Sequence, residues 1–328
     1  MKIKLLISPL FLIVAVIISL TAGQYPIPPA DIFHTLGHLF EPAQSDIETV
    51  LWNIRIPRML TAVFVGAALA IAGATYQGMF KNPLVSPDIL GVTVGAGLGA
   101  VIAIYFDLSL LMIQVIAFIS GLCTVFLVFR VSQIARYHDP ILALVLSGIA
   151  IGSLLAAGIS LIKILSDPYS QLTTITFWLL GGLNMATYQD LQIAIPLICL
   201  GMIPLILLRW RMNLLSLEDE EATALGINVQ RTRIIFIVAA TLMTSAAVSI
   251  TGVIGWVGLV IPHIARLWIG ADFRRLLPTA LFGGAGFLLL TDTIARSVFS
   301  IEIPLGVITA FIGAPFFLGL LINGGTRK

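Results

Sequence analysis

Residues 51–80, LWNIRIPRMLTAVFVGAALAIAGATYQGMF, set Arg55 and Arg58 at the mouth of a long apolar run, and no charge follows until Lys81. A helix needs about 20 apolar residues to cross the hydrocarbon core of a bilayer. The stretch after Arg58 is long enough. The whole chain repeats the pattern: 328 residues, 59% hydrophobic and only 10% charged, with a mean hydropathy of +1.06. Soluble domains carry about 25% charged residues. So little charge cannot cover a water-facing surface, so the chain reads as an integral membrane protein. Its net charge of +2 gives no reason to expect nucleic acid as a partner.

Strand-like alternation is absent, so the spans are expected to be helices. Ten are expected, at roughly 5–22, 58–79, 90–106, 111–130, 141–162, 190–208, 233–250, 254–268, 277–296 and 304–322, in one transmembrane domain covering 1–328. The start, MKIKLLISPLFLIVAVIISLTAG, is basic and then apolar without an A-x-A cleavage pattern, which predicts an uncleaved first helix. An even number of spans puts both termini on one side. Of the eighteen Lys and Arg residues, only Arg55, Arg58, Lys163 and Arg296 fall on the opposite side. The other fourteen, including Arg136, Arg327 and Lys328, share the side of the termini. Cytoplasmic loops are enriched in Lys and Arg, so both termini are expected in the cytoplasm of a multi-pass cell (inner) membrane protein, surrounded by membrane lipid.

Small residues are dense within the spans. Gly66, Ala70, Ala74 and Gly78 recur every four residues, a stripe that lets helices approach closely. GVTVGAGLGA (91–100) and TGVIGWVGLVIPH (251–263) are Gly-rich, and NPLVSPDILG (82–91) reads as a turn or a partly re-entrant link. None of these fits a dinucleotide or phosphate-loop fingerprint, and G-x-x-x-x-G-K-[ST] is missing, so the chain is not expected to hydrolyse ATP itself. No catalytic residues and no metal ligands are expected. Cys123 and Cys199 lack metal-ligand spacing and read as small core residues. His263 reads as a packed residue beside Pro262 and Arg266. Asp292 is the best candidate for a buried charge, either functional in its own right or paired with Arg296 four residues later.

Two stretches fall outside the spans. RWRMNLLSLEDEEATALGINVQRTR (209–233) holds four consecutive acids, Glu218 to Glu221. Ser216 is expected to cap a short amphipathic helix, acids in its first turn suit the helix dipole, and Gly226 is expected to stop it. This segment is either a solvated loop helix or a contact surface for a cytoplasmic protein. SDPYSQLTTITFWLLGGLNMATYQD (166–190) reads as an interfacial helix over the outer mouth. Arg55, Arg58 and Arg296 sit at outer helix ends, against the prevailing charge bias. They either snorkel and pair with nearby acids such as Glu48, or form a docking site for an acidic partner, since arginine bonds carboxylates through two parallel N–H groups.

RIPRMLTAVFVGAALAIAGATYQGMFKNPLVSPDILGVTVGAGLGA (55–100) resembles the signature of the FecCD-type permeases. LEDEEATALGINV (217–229), GVIGWVGLVIPHIARLWIGADFRRLLP (252–278), TDTIARSVF (291–299) and EIPLGVITAFIGAPFFLGLL (302–321) extend the likeness in the family's order over nearly the whole chain. The resemblance implies an all-α permease of about ten helices. It would work as a homodimer with two cytoplasmic ATP-binding cassette subunits and an external or periplasmic substrate-binding protein. No cofactor is expected on this chain, with ATP and Mg held by the ATPase. By the same resemblance, Arg55, Arg58 and Arg296 would meet glutamates of the binding protein. The segment 214–228, with Leu217, Glu218, Asp219, Glu220, Glu221, Ala222, Leu225 and Gly226, would couple to the ATPase. Ile141 and Leu142 would lie at the cytoplasmic gate, where bulky apolar groups replace the small hydroxyl residues of the cobalamin-transporting relative.

The implied cargo is a metal chelate, ferric siderophore first, with haem, cobalamin or molybdate and tungstate as alternatives. A stand-alone ion-coupled secondary transporter is the rival from another class. It requires ion-binding carboxylates in the membrane, for which only Asp292 offers itself. A membrane-embedded enzyme would rest on His263 and Asp292.

Overall fold

The computed structural model describes residues 2–32, 45–135, 139–298 and 301–324. Arg136, Arg327 and Lys328 lie outside the described residues. The principal elements of the described chain are α-helices: α1 (Lys2–Thr21), α2 (Ile56–Met79), α3 (Val92–Tyr105), α4 (Leu110–Ile134), α5 (Pro140–Leu165), α6 (Gln171–Leu180), α7 (Tyr188–Leu207), α8 (Arg209–Leu215), α9 (Asp219–Ala224), α10 (Val229–Thr251), α11 (Val257–Ile269), α12 (Phe273–Ser297) and α13 (Leu305–Gly324). Among the described residues, seven helical stretches of at least 18 residues are apolar enough to span a bilayer. The shorter apolar helices α3 and α11, with the apolar Leu305–Gly319 part of α13, fill the three remaining expected spans.

Several boundaries differ from expectation. The second span does not begin at Arg58. A capped turn (Asp46–Thr49) and a π-helical segment (Val50–Arg55) run without interruption into α2. Ser45 starts this run by accepting from the Glu48 N–H at 3.2 Å while Glu48 Oε2 accepts from the Ser45 N–H at 3.1 Å, a reciprocal cap. Glu48, one of the acids named as a possible arginine partner, closes that cap. Within the expected interfacial segment 166–190, α6 ends at Gly181, whose φ of +70° turns the chain away, and 188–190 already belong to α7. The link 82–91 ends in a short 3-10 turn (Pro87–Leu90), and Gly91 at φ +74° redirects it into α3.

Helices α2, α10 and α12 form the centre: 78% of the apolar window of α2 is buried, against 22% for α5 and 11% for α1. The peripheral helices turn large apolar side chains outward, among them Leu6, Phe126 and Leu154, as lipid contact demands. Cys123 also faces outward and Cys199 is half-buried, so neither is the core residue expected. Between helices in lipid, close packing replaces the hydrophobic drive, and α2 carries it. Gly66 packs backbone to backbone on Gly284 of α12, and Gly78 faces the Phe273 ring of the same helix. Gly73, outside the expected stripe, packs on Gly258 of α11.

The chain breaks between α10 and α11. Gly252 (φ +67°) and Trp256 (φ +70°) turn it within the protein. Part of the freed backbone is satisfied there: Gly182 N–H donates to Thr251 O and Val257 N–H to Gly255 O, both at 2.9 Å. The Trp256 ring lies flush against Gly313 of α13, where no larger residue fits.

Candidate functional site

Two polar sites stand at opposite ends of the bundle. The first gathers all three candidate docking arginines. Helix α1 ends at Thr21, leaving carbonyls of its last turn without intrahelical donors. Two arginines fill that need. Arg55 donates to Leu20 O and Tyr25 O, and Arg296 donates to Ser19 O, to Ser19 Oγ at 3.0 Å and to Ala22 O at 2.8 Å. A cation at a helix C-terminus is also favoured by the helix dipole.

Arg58, in the first turn of α2, makes the charged contacts. Its Nε donates to Asp292 Oδ1 at 2.8 Å and Oδ2 at 3.1 Å, and its Nη2 lies 2.8 Å from Oδ1. Its Nη1 donates to Glu302 Oε1 at 2.8 Å. Asp292 also meets Arg296 Nε at 3.5 Å, one helical turn along α12. The cluster borders a cleft of about 270 Å³ shared with Gln24, Tyr25 and Ile54.

The expected pairing of Asp292 with Arg296 is present. The principal partner of Asp292, however, is Arg58, from 234 residues away in sequence. The arginines are bonded within the chain rather than open at its surface. Arg55 and Arg58 are 6% and 7% exposed, and every arginine of the cluster is already bonded within the chain. Glu302 was overlooked as a site residue, although it opens the EIPLG motif.

The second site lies where α2 ends and α10 begins. Helix α9 is a six-residue surface helix with Asp219, Glu220 and Glu221 in its first turn. Ser216 does not cap it. The Ser216 hydroxyl donates to Asn213 O at 2.7 Å, closing the preceding helix α8, and Glu218 holds the cap position without a side-chain bond. Gly226 stops the helix as expected, at φ +85°. Ala222 packs inward, whereas Glu218, Glu220, Glu221 and Leu225 are exposed and Leu217 is half-buried. Asp219 is fixed by a two-pronged bond from Arg233 of α10, at 2.7 and 2.8 Å. Glu218 lies 3.8 Å from Lys81, just beyond α2.

Helix α8 is secured beside it. Asn213 donates to Asp272 Oδ1 at 2.8 Å and accepts from Phe273 N–H at 2.9 Å, joining α8 to the start of α12. The Asn213 amide, then the Arg274 backbone N–H, hold the Asp272 carboxyl below the usual carboxylate range.

A cavity of about 610 Å³ opens beside α9. Its walls include Ile141 and Leu144 of α5, Asp219 and Thr223 of α9, and Arg233 and Ile237 of α10. Ile141, a candidate gate residue, therefore faces the same space as the Asp219–Arg233 pair. Leu142 does not line it and is 44% exposed. Asp139 starts α5, accepting from the N–H groups of Ile141 at 2.8 Å and Leu142 at 3.3 Å.

Comparison with known proteins matches this arrangement to one family. The model of the FecCD transport family matches residues 11–323. A Helicobacter pylori protein named as an iron chelatin transport system permease is 41% identical over 279 residues, 85% of this chain and 84% of its own. The molybdate import system permease protein MolB of Haemophilus influenzae is 38% identical over 316 residues, 95% of this chain and 93% of its own. A solved structure described as the inward-facing conformation of an ABC transporter classed as metal-chelate type superposes with a TM-score of 0.88 at 36% identity, over 98% of this chain and 100% of that one. The chain therefore belongs to the FecCD transport family, as an all-α, multi-pass membrane permease subunit of an ABC transporter and not itself an ATPase.

Proposed function

We propose that the chain is the permease of an ATP-driven importer that passes a metal chelate, ferric siderophore first, to the cytoplasm. The observation that carries this reading is α9. It is a surface helix with exposed Glu218, Glu220, Glu221 and Leu225, joined through Asp219 to a membrane helix beside the Ile141 cavity. Such a helix suits a groove on an ATPase that binds ATP and Mg, and its fixed bond carries displacement into α10. The excess of Lys and Arg on this side favours a cytoplasmic location for it and for both termini.

The arginine end then faces outward and receives a substrate-binding protein. A second copy of the chain would cover the apolar faces of α5 and α13, where Leu154 and Phe311 are 72% and 78% exposed. The substrate pathway then runs between the two copies, with Ile141 and Leu142 near its inner gate. All of 1–328 is one permease domain in this reading.

The cargo is the finer part of the proposal. Two relatives of similar identity are named for an iron chelate and for molybdate, so overall identity does not select between them. Haem and cobalamin remain alternatives on the family resemblance. The secondary-transporter reading loses its candidate ion site, because Asp292 is 1% exposed and engaged by two arginines. The enzyme reading is not favoured, since His263 does not line the cleft that Asp292 borders. Asp292 borders the arginine cleft, while His263 packs edge-on against Phe316 at 6.4 Å.

The test is uptake into proteoliposomes holding the permease with the ATPase and binding protein encoded beside it. Labelled ferric siderophore, haem, cobalamin and molybdate are compared with and without ATP on the ATPase side. ATP-dependent uptake of ferric siderophore is the expected result. ATP-dependent uptake of another compound would replace the cargo alone, and uptake driven by an ion gradient without ATP would overturn the importer.

A further inference from the structure

We infer that Glu302 is a built-in competitor for Arg58: it holds the Nη1 edge that an incoming carboxylate of the binding protein takes, and docking exchanges one carboxylate for the other. This inference rests on the docking role proposed above.

The two acids on Arg58 differ in kind. Asp292 is 1% exposed, lies on the same rigid helix as Arg296, and takes the Nε and Nη2 edge of the Arg58 fork. It cannot leave without stranding two buried cations, which is costly. Glu302 takes the other edge, through Nη1 alone, from a side chain that is 41% exposed. It belongs to the non-helical stretch between α12 and α13. Asp292 is thus a permanent counterion and Glu302 a replaceable one.

Exchange costs little because the count of charged bonds does not change. An arginine this buried does not wait unpaired for a partner. Losing one carboxylate while gaining another keeps Nη1 paired, with the released Glu302 returning to water. Docking through a directly exposed arginine would gain more free energy and dissociate more slowly. A binding protein that delivers its load repeatedly must also leave, and a competitor on the arginine hastens that departure. The remaining positive charge of the cluster, three arginines against Asp292 and Glu302, still favours an acidic partner at the cleft.

The experiment measures docking of the binding protein encoded beside the permease to full-length permease with its ATPase in nanodiscs, at moderate salt. E302Q removes the competing charge, and E302A removes the side chain's hydrogen bond as well. Both are expected to dock more tightly, by about fivefold, the worth of a half-exposed ion pair. R58K, which keeps the charge for Asp292 but loses the fork, is expected to dock at least tenfold more weakly, and R58K with E302Q no better than R58K alone.

The direction of change separates the competitor from a structural prop. If R58K weakens docking while E302Q and E302A leave it unchanged or weaken it, the exchange is overturned and the docking role stands. If R58K, confirmed folded by its elution profile, docks like the wild type, the docking role fails and the exchange fails with it.

Discussion

Both ends of the molecule rest on an arginine gripping a carboxylate, but the two grips lie in opposite surroundings. At one end Arg58 and Asp292 are 9% and 1% exposed at their side chains. At the other, Arg233 and Asp219 are 16% and 53% exposed. Charge attraction is far stronger away from water, and so is the cost of a lone ion. The Asp292 pair therefore belongs to the folded architecture, tying α2 to α12 at the top of the core. The Asp219 pair is weak in net stability and strong in geometry, since two parallel bonds fix direction. One end resists change, and the other, in the coupling role proposed for α9, would transmit it.

The largest effect that tests this contrast comes from Asp292. Replacing it with alanine leaves Arg58 and Arg296 without their shared counterion, and removing one member of a buried pair costs about 3–5 kcal/mol. We expect Asp292→Ala to unfold well below the wild type in detergent melts followed by tryptophan fluorescence, with reduced yield. Asp219→Asn should stay within about 1 kcal/mol of the wild type in the same assay. Equal losses for the two variants would erase the distinction between the ends.

A smaller loss is expected from the packing between them. Gly73 meets the Gly258 backbone directly, so Gly73→Leu forces α2 and α11 apart. Overpacking of this kind costs about 1–3 kcal/mol. Gly226→Ala, at φ +85° but with open space around it, should cost only about 1 kcal/mol. If Gly73→Leu melts like the wild type, the α2–α11 contact is looser than its geometry states.

For Asp219 the expected loss is functional. Asp219→Asn should keep the ATPase bound on purification yet lower transport per ATP hydrolysed severalfold, because α9 moves without pulling α10. The paired exchange Asp219→Arg with Arg233→Asp should recover much of the ratio. Recovery is the sharper observation, since a general disturbance of the surface is not repaired by a second reversal. A wild-type ratio in the single variant would remove this bond from the coupling route.

The spans were legible because hydropathy and length are local properties, and each expected span has its helix. Gly226 was legible for the same reason, being a local requirement for positive φ. The start of the second span was not. Glu48 and Arg55 interrupt its hydropathy, and only the reciprocal cap of Ser45 and Glu48 shows where the helix begins. Ser216 was misread because α8 ends there, and its hydroxyl is spent on the helix behind it. Asp292 and Arg296 announce themselves by spacing, but nothing local in the chain joins Arg58 to Asp292 or to Glu302. Those bonds exist because α2 and α12 pack through Gly66 and Gly284, which brings their ends together. The burial of the arginines was not legible either, because charge bias marks the end of a helix and says nothing about burial within it.

The smallest effect lies at the joint between α8 and α12. There the Asn213 amide and the Arg274 backbone N–H hold the Asp272 carboxyl below its usual range. A carboxyl depressed by folding adds stability above its unfolded pKa, about 3.9 for aspartate, and loses it as pH falls through the folded value. Asp272→Asn keeps a capping residue but gives up the charge. It should be slightly less stable than the wild type near neutral pH, by under about 1 kcal/mol for so exposed a group. As pH falls from about 4 through that lower folded value the two melting temperatures should converge, because the wild type then comes to carry an uncharged Asp272 as well. Asp292→Asn against the wild type provides the contrast over the same pH series: its deficit should remain large near neutral pH, where the Asp272 deficit is already small. A gap for Asp272→Asn that widens on acidification would mean that Asp272 is held in its neutral form, and that α8 is joined to α12 by Asn213 and the Phe273 backbone alone.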